Sequence, residues 1–271
     1  MGFPAVFSLS FDGFAMSLTE LKNTHSEVED DWFTRAFDAL YPIIYAHRTV
    51  EAATAESAFA IEQLQLCPSG SVLDLCCGNG RHMVHLLKHT PHVFGLDYST
   101  ALLGFAREQL GATGALLRAD MRAIPFENAF DAVANFFTSF GYFQTDEENL
   151  AVAEGIARSL KPGGRFFMDY LNPEYVRAHL VAESSRRADS YDISEHRWVD
   201  DQSERVNKVM KIHRDGKLVS QTSESVKLYT PDVLQSLLAE AGLVVENRFG
   251  NYDGSPVGPD NPRQILVGVR N

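Results

Sequence analysis

Val72-Leu73-Asp74-Leu75-Cys76-Cys77-Gly78-Asn79-Gly80-Arg81-His82 is the stretch on which the fold turns. An apolar run ends in an acid and a tight Gly-x-Gly loop, and a helix follows. Glycines serve where the backbone must turn sharply and approach a ligand closely. Outward from this loop the chain alternates. Strands are predicted over 71–76, 92–97, 115–119, 129–136 and 165–171, and helices over 80–88, 99–110 and 146–160. Strand–helix alternation at this spacing means a parallel sheet covered by helices on both faces. Ligands bind such sheets at the carboxyl ends of the strands, where this loop sits.

The loop itself discriminates between ligands. A dinucleotide site wants Gly-x-Gly-x-x-Gly with a pyrophosphate on the helix N-terminus. Here Gly78 and Gly80 are followed by His82-Met83, so the third glycine is missing. Asp74 would repel a pyrophosphate and attract a cationic amine. That favours S-adenosylmethionine, which carries an amino group and a sulfonium, over a nicotinamide dinucleotide.

Asp74-Leu75-Cys76-Cys77-Gly78-Asn79-Gly80 resembles the first motif of the class I S-adenosylmethionine-dependent methyltransferases, with Cys76 as a mild departure. Val93-Phe94-Gly95-Leu96-Asp97-Tyr98-Ser99 resembles the second motif. The resemblance implies that Asp97 accepts hydrogen bonds from the ribose hydroxyls, as an acid about 20 residues after such a loop does in related sites. It also implies that Asp120 meets the adenine amino group while Met121 packs on the ring. Phe130-Asp131-Ala132-Val133 with Asn135-Phe136-Phe137 resembles the fourth strand and its edge, and Leu160-Lys161-Pro162-Gly163-Gly164 the turn before the fifth. The implied cofactor residues are therefore Asp74, Cys76, Gly78, Gly80, Asp97, Tyr98, Asp120, Met121, Asn135 and Phe136, with Tyr45 added from an N-terminal helix that closes over the cofactor.

The flanks read differently. Trp32, Phe33, Phe37, Leu40, Tyr41, Ile44 and Tyr45 recur at helical steps and predict a helix over 27–47 that Pro42 either kinks or breaks into two helices; a second amphipathic helix is expected over 49–66. Residues 1–27 look irregular: an arm without the features of a signal peptide or a myristoylation site, with Met16 as an alternative start. After about residue 181, strand-like alternation over 191–199, 205–213 and 218–228, with an Asp215-Gly216 turn, predicts an inserted antiparallel flap. A helix over 231–241 and a final antiparallel strand pair complete a Rossmann-like, doubly wound, seven-stranded, mostly parallel α/β sheet. The expected division is 1–66 arm and helical cap, 67–182 cofactor-binding core, 183–229 flap and 230–271 return to the core.

The flap resembles the insertion of small-molecule N- and O-methyltransferases, including glycine- and aminosugar-methylating types, and implies a small acceptor beneath it. Candidate acceptor residues are Tyr41, Phe140, Tyr170, Asn172, Arg205 and Tyr229; candidate proton acceptors are Tyr142, His196 and Glu224. A net charge of −12 disfavours a nucleic-acid substrate, and no stretch is long enough to span a membrane. Three cysteines suit a reducing cytoplasm rather than a disulfide framework. His82, His85, His89 and His92 with Cys76-Cys77 are read as structural, with no metal expected. A homodimer stays open. Competing readings are a non-catalytic cofactor-binding module and a nicotinamide-dependent oxidoreductase.

Overall fold

The computed structural model describes residues 28–271, so the expectations for the arm and for Met16 lie outside the described residues. Two four-residue helices, Phe33–Ala36 (α1) and Tyr41–Ile44 (α2), precede the longer Ala53–Gln63 (α3). The core then runs Val72–Leu75 (β1), Met83–His89 (α4), Val93–Asp97 (β2), Thr100–Leu110 (α5), Ala115–Arg118 (β3), Phe130–Asn135 (β4), Asp146–Ser159 (α6) and Leu160–Leu171 (β5). Pro173–His179 (α7) leads into Glu183–Ala188 (β6), Tyr191–Asp200 (β7), Arg205–Arg214 (β8) and Lys217–Lys227 (β9). Pro231–Glu240 (α8), Leu243–Phe249 (β10) and Arg263–Arg270 (β11) follow.

The seven-stranded sheet has the order β10-β11-β5-β4-β1-β2-β3. Strands β1 to β5 are parallel, and β11 and β10 return antiparallel at one edge. Strand order reverses between β1 and β4, which opens a crevice at their carboxyl ends. Strand β1 is buried along its whole length. Leu73 and Leu75 pack with α6 and α8 on one face, while Val72 packs with α3 and α4 on the other. Truncating a leucine as buried as Leu73 to alanine costs about 2–5 kcal/mol.

Helix starts follow side-chain chemistry. Thr145 and Glu148 form a capping box on α6, Ser99 caps α5 and Thr230 caps α8 ahead of Pro231. Each such cap contributes about 1 kcal/mol. Strands β6-β7-β8-β9 form a separate antiparallel sheet. Its β8–β9 turn uses left-handed Asp215 (φ 52°) and Gly216 (φ 73°), as an Asp-Gly hairpin requires.

Three sequence expectations shift. Of the two readings for 27–47, the break into two helices, α1 and α2, is the one observed, but it falls ahead of Pro42, because Asp38 turns the chain by accepting from Leu40 N at 2.8 Å and Pro42 sits in the first turn of α2. Helix α7 was not anticipated; Asn172 caps it and Pro173 starts it. Strand β6, mostly exposed, lacks apolar alternation and is defined by its pairing with β7. Among the described residues no helix is long and apolar enough to cross a membrane.

Candidate active site

A cavity of about 350 Å³ lies over the carboxyl ends of β1, β2 and β4, between the N-terminal cap and the flap. That falls within the usual range for a small-molecule site. Its floor is the glycine loop. Cys76 (φ 61°), Gly78 (φ 57°) and Gly80 (φ 80°) all take left-handed backbone, and a Cβ on Gly80 would stand 3.2 Å from Ala106 Cβ. Cys76 pays for its place with strain that the glycines do not carry.

Asp97 closes the loop. One carboxylate oxygen accepts from Gly78 N and the other from Ser99 N, both at 2.8 Å. Burial raises its pKa despite these backbone bonds. Tyr98 stands at the rim, 38% exposed. Asp120 caps a short helical turn, Met121–Ala123, and pairs with Arg122 at 2.7 Å. Burial would raise the Asp120 pKa, but the Arg122 bonds hold it below its ordinary value. Met121 lies beside Cys76, sulfur to sulfur 3.5 Å.

Asn135 ties β4 to β1 by donating to Leu75 O at 3.0 Å, and its Oδ1 has no partner. Phe136 stacks on His82 at 3.9 Å. Phe137 (φ 60°) and Thr138 (φ 62°) are consecutive left-handed residues on the cavity wall. For residues with a Cβ this costs on the order of 1–3 kcal/mol each. The guanidiniums of Arg48, Arg81 and Arg263 stand 4.5, 5.0 and 5.2 Å from the Phe137 ring.

Asp74 is buried beneath the loop, and one of its carboxylate oxygens has no hydrogen-bond partner. Burial pushes its pKa up to about 8, against the pull of Arg81. Arg81 is also buried, with one terminal nitrogen unpaired and the guanidinium on the cavity wall. An acid with one free oxygen, and a guanidinium with one free nitrogen while another pairs with Glu56 at 2.8 Å, together suit a ligand that carries both an ammonium and a carboxylate.

The roof comes from two distant segments. Tyr45 donates to Glu224 at 2.5 Å and accepts from Lys208 at 2.6 Å, and Lys208 pairs with Glu224 at 2.8 Å. Burial would raise the Glu224 pKa, but Lys208 and the bonds from Lys208 and Tyr45 keep it low. Tyr41 accepts from Arg48 at 2.7 Å.

The region 72–164 matches a family model described as a methyltransferase domain. Beyond that region the chain is similar to the dTDP-3-amino-3,4,6-trideoxy-alpha-D-glucopyranose N,N-dimethyltransferase of Streptomyces venezuelae, at 28% identity over 85% of this chain and 96% of that protein. The chain is a class I S-adenosylmethionine-dependent methyltransferase. Its fold superposes on the CcbJ methyltransferase of Streptomyces caelestis with a TM-score of 0.75 at 16% identity, covering 89% of this chain and 99% of that one. It also superposes on the S-adenosylmethionine-bound CalS10, an amino pentose methyltransferase of Micromonospora echinaspora, with a TM-score of 0.65 at 22% identity, covering 86% and 97%.

The methyltransferase brings Cys76, Gly78, Asp97, Tyr98, Asp120, Met121 and Phe136 together on the cavity wall, with Tyr41, Tyr142 and Glu224 above them. Asp74, Gly80, Asn135 and Tyr45 lie behind that surface, Tyr45 supporting Glu224 from behind through its hydroxyl. Several expected acceptor residues are not on the wall, because the protein uses their polar atoms itself. Phe140 is in the core at 1% exposure. Tyr170 donates to the Lys227 carbonyl, Asn172 caps α7 and donates to the Gly258 and Asn261 carbonyls, and Tyr229 donates to Asp146. Arg205 is spent on Ser225 and on the carbonyls of Tyr142 and Phe143, which braces the flap against the loop after β4. His196 is corrected as well. It is exposed and stacks on Trp198, since its neighbour Arg197 takes the cavity-facing side of β7. Burial raises the Tyr142 pKa well above its ordinary value, which disfavours a phenolate base.

Sequence reading missed Lys208 and Arg263 on the wall, and met Arg48 and Thr138 only as members of their stretches, with no role assigned to either. Arg81 stood inside the quoted glycine stretch but was not singled out. Lys208 meets Glu224 only through the β8–β9 register, which no local pattern reveals. The histidines of α4 pin that helix to the preceding segment. His82 bonds Glu56 at 2.7 Å, His85 bonds Val50 O at 2.8 Å and His89 bonds Leu66 O at 2.5 Å.

Proposed function

We propose that this methyltransferase acts on the amino group of a small polar acceptor, an amino sugar or a molecule of similar size. Glu224 carries the reading: a carboxylate on the flap, held ionised by Lys208 and Tyr45, at a cavity walled by Phe37, Tyr41 and Tyr142. A carboxylate among aromatic rings suits a cationic or partly cationic nitrogen better than a neutral hydroxyl. The Streptomyces venezuelae relative supports it, since its name describes N,N-dimethylation of a dTDP-linked 3-amino sugar.

When bound, S-adenosylmethionine supplies a methyl group already activated on sulfur. The chain supplies binding, orientation and exclusion of water. In this proposal Asp97 accepts from the ribose hydroxyls, Asp120 from the adenine amine, and Met121 packs on the ring. Gly78 and Gly80, with Cys76, let the backbone come close, while Asp74 and Arg81 address the methionyl ammonium and carboxylate. Phe136 and Tyr98 line the two ends of the cofactor channel, and Asn135 keeps its edge in register. Glu224 orients the acceptor nitrogen. Its low pKa makes it a weak proton acceptor, so the amine enters already deprotonated or loses its proton to solvent.

The proposed division is residues 1–66 as arm and cap, 67–182 and 230–271 as core, and 183–229 as flap. A cavity of about 350 Å³ and a net charge of −12 support a small-molecule partner over nucleic acid or a membrane surface. Free Cys67, Cys76 and Cys77 support a cytoplasmic setting. The test is an assay with methyl-labelled cofactor and two nucleotide-linked sugars that differ only in an amino or a hydroxyl group at one carbon. Mass spectrometry should show methylation of the amino sugar alone. Methylation of the hydroxyl sugar alone would overturn the N-methyltransferase reading.

A further inference from the structure

Asp169 stands at the carboxyl end of β5 with 0% exposure, and it gathers donors from three parts of the chain. Its carboxylate accepts from Phe137 N at 2.7 Å, from Arg263 Nε at 2.5 Å and from the Tyr252 hydroxyl. Its main-chain carbonyl accepts from Thr138 N at 2.9 Å. Arg263 in turn donates to Thr138 Oγ1 at 2.9 Å. Both backbone N–H groups of the left-handed pair Phe137-Thr138 are thus held by one residue, and the Thr138 side chain by that residue's charge partner.

Three observations separate this arrangement from ordinary packing. Phe137, Thr138 and Arg263 all line the cavity. Two successive residues bearing a Cβ adopt φ near +60°, which persists only where the surroundings over-determine it. The Phe137 ring so placed stands against Arg48 and Arg81 as well as Arg263. Nothing in the glycine loop or the cofactor acids requires β11, yet Arg263 begins that strand.

We infer that Asp169, Arg263 and Tyr252 form a clamp that holds the Phe137-Thr138 segment in its left-handed conformation and thereby shapes the methionyl end of the cofactor cavity. These are positioning residues. Asp169 acts through the backbone of its neighbours, and its charge keeps half-buried Arg263 in place. The inference rests on the cofactor assignment.

The experiment titrates the full chain with S-adenosylhomocysteine by calorimetry, for wild type, Asp169→Asn, Thr138→Gly and the double variant, with Tyr252→Phe as a milder break that keeps the fold. Circular dichroism checks folding of each. Asp169→Asn should bind about tenfold or more weakly while still folded, and Tyr252→Phe by a smaller factor, since a bond to a charged group is the stronger one. Glycine takes φ +60° without strain. Thr138→Gly in the Asp169→Asn background gives up the bond from Arg263 to Thr138 Oγ1 but removes the Cβ strain at 138, and should therefore recover part of the lost affinity, which a merely structural Asp169 would not allow. If Asp169→Asn fails to fold, Tyr252→Phe with and without Thr138→Gly decides by the same rescue. Unchanged binding in the folded single variants, or no rescue by glycine, overturns the clamp. No binding by wild type overturns the cofactor assignment and this inference with it.

Discussion

The floor and the roof of the cavity are built in opposite ways. On the floor, Asp97 bonds the backbone of Gly78 and Ser99, separated from it by 19 and 2 residues. On the roof, Tyr45 meets Lys208 and Glu224 across separations of 163 and 179 residues. The floor uses backbone N–H groups presented by strand ends and tight turns, so its geometry follows from local structure. The roof uses long side chains from a two-turn cap and a separate sheet, so its geometry exists only when cap and flap meet. The floor should therefore govern cofactor affinity, and the roof should govern closure and the acceptor.

Asp97→Ala tests the floor hardest. Losing the charge-assisted bonds to the loop, and those proposed to the ribose, each worth about 1.5–3 kcal/mol, should weaken cofactor binding on the order of 100-fold or more in calorimetry. A loss of less than tenfold would break the comparison, because the floor would then not depend on its acid. Tyr45→Phe tests the roof. It removes the hydroxyl that joins cap to flap, and denaturant unfolding should show a loss on the order of 1–3 kcal/mol. Cofactor affinity should change by only a few-fold. If cofactor affinity fell as far as in Asp97→Ala, floor and roof would not be separable.

Asp74→Asn sharpens the account of the floor with a smaller effect. The folded-state pKa of about 8 lies above the ordinary 3.8, so the ligand-free fold retains a proton that the unfolded chain has lost. That group's contribution to stability is present at low pH and falls as pH rises from 3.8 toward about 8. Near pH 8 the Asn variant should accordingly melt above the wild type. A cationic ligand nearby favours the ionised form, so cofactor binding near neutral pH should release a proton from wild type and none from the variant. Calorimetry in two buffers of different ionisation enthalpy measures that proton. Equal release by both proteins would remove Asp74 from the binding account.

His82 offers a last, smaller check on how the cap is held to the floor. Burial lowers its pKa to about 4 although Glu56 opposes the shift. The fold therefore keeps His82 neutral, and its contribution to stability is lost as pH falls from 6.5 toward about 4. Replacing His82 with Phe, which retains the stack on Phe136, should flatten the fall in melting temperature over that window. An unchanged pH profile would assign the acid sensitivity to other groups.

The parallel core was legible because short apolar runs ending in acids and glycine turns leave marks in sequence, and β1, β2, β4 and their acids stand where the pattern puts them. The cap was legible only in part, since an aromatic run at helical spacing fits one kinked helix as well as two short ones and does not show that its rings wall a cavity. Tyr170, Asn172, Arg205 and Tyr229 were misread for a common reason. Each is polar and near the active edge in topology, but a buried polar atom must find a partner, and these found theirs within the protein. Arg205, for example, satisfies its guanidinium on Ser225 and the carbonyls of Tyr142 and Phe143.

The sequence by itself determined the sheet, the glycine loop with its acids, the cofactor class and the presence of a flap, because these depend on residues close together in the chain and on backbone preferences that each residue carries alone. Only the tertiary structure decided which flap residues face the cavity, that Lys208 and Tyr45 share Glu224, and that Asp169 reaches Phe137, Tyr252 and Arg263. Those outcomes depend on strand register and on the burial of charges, which the whole fold must settle at once.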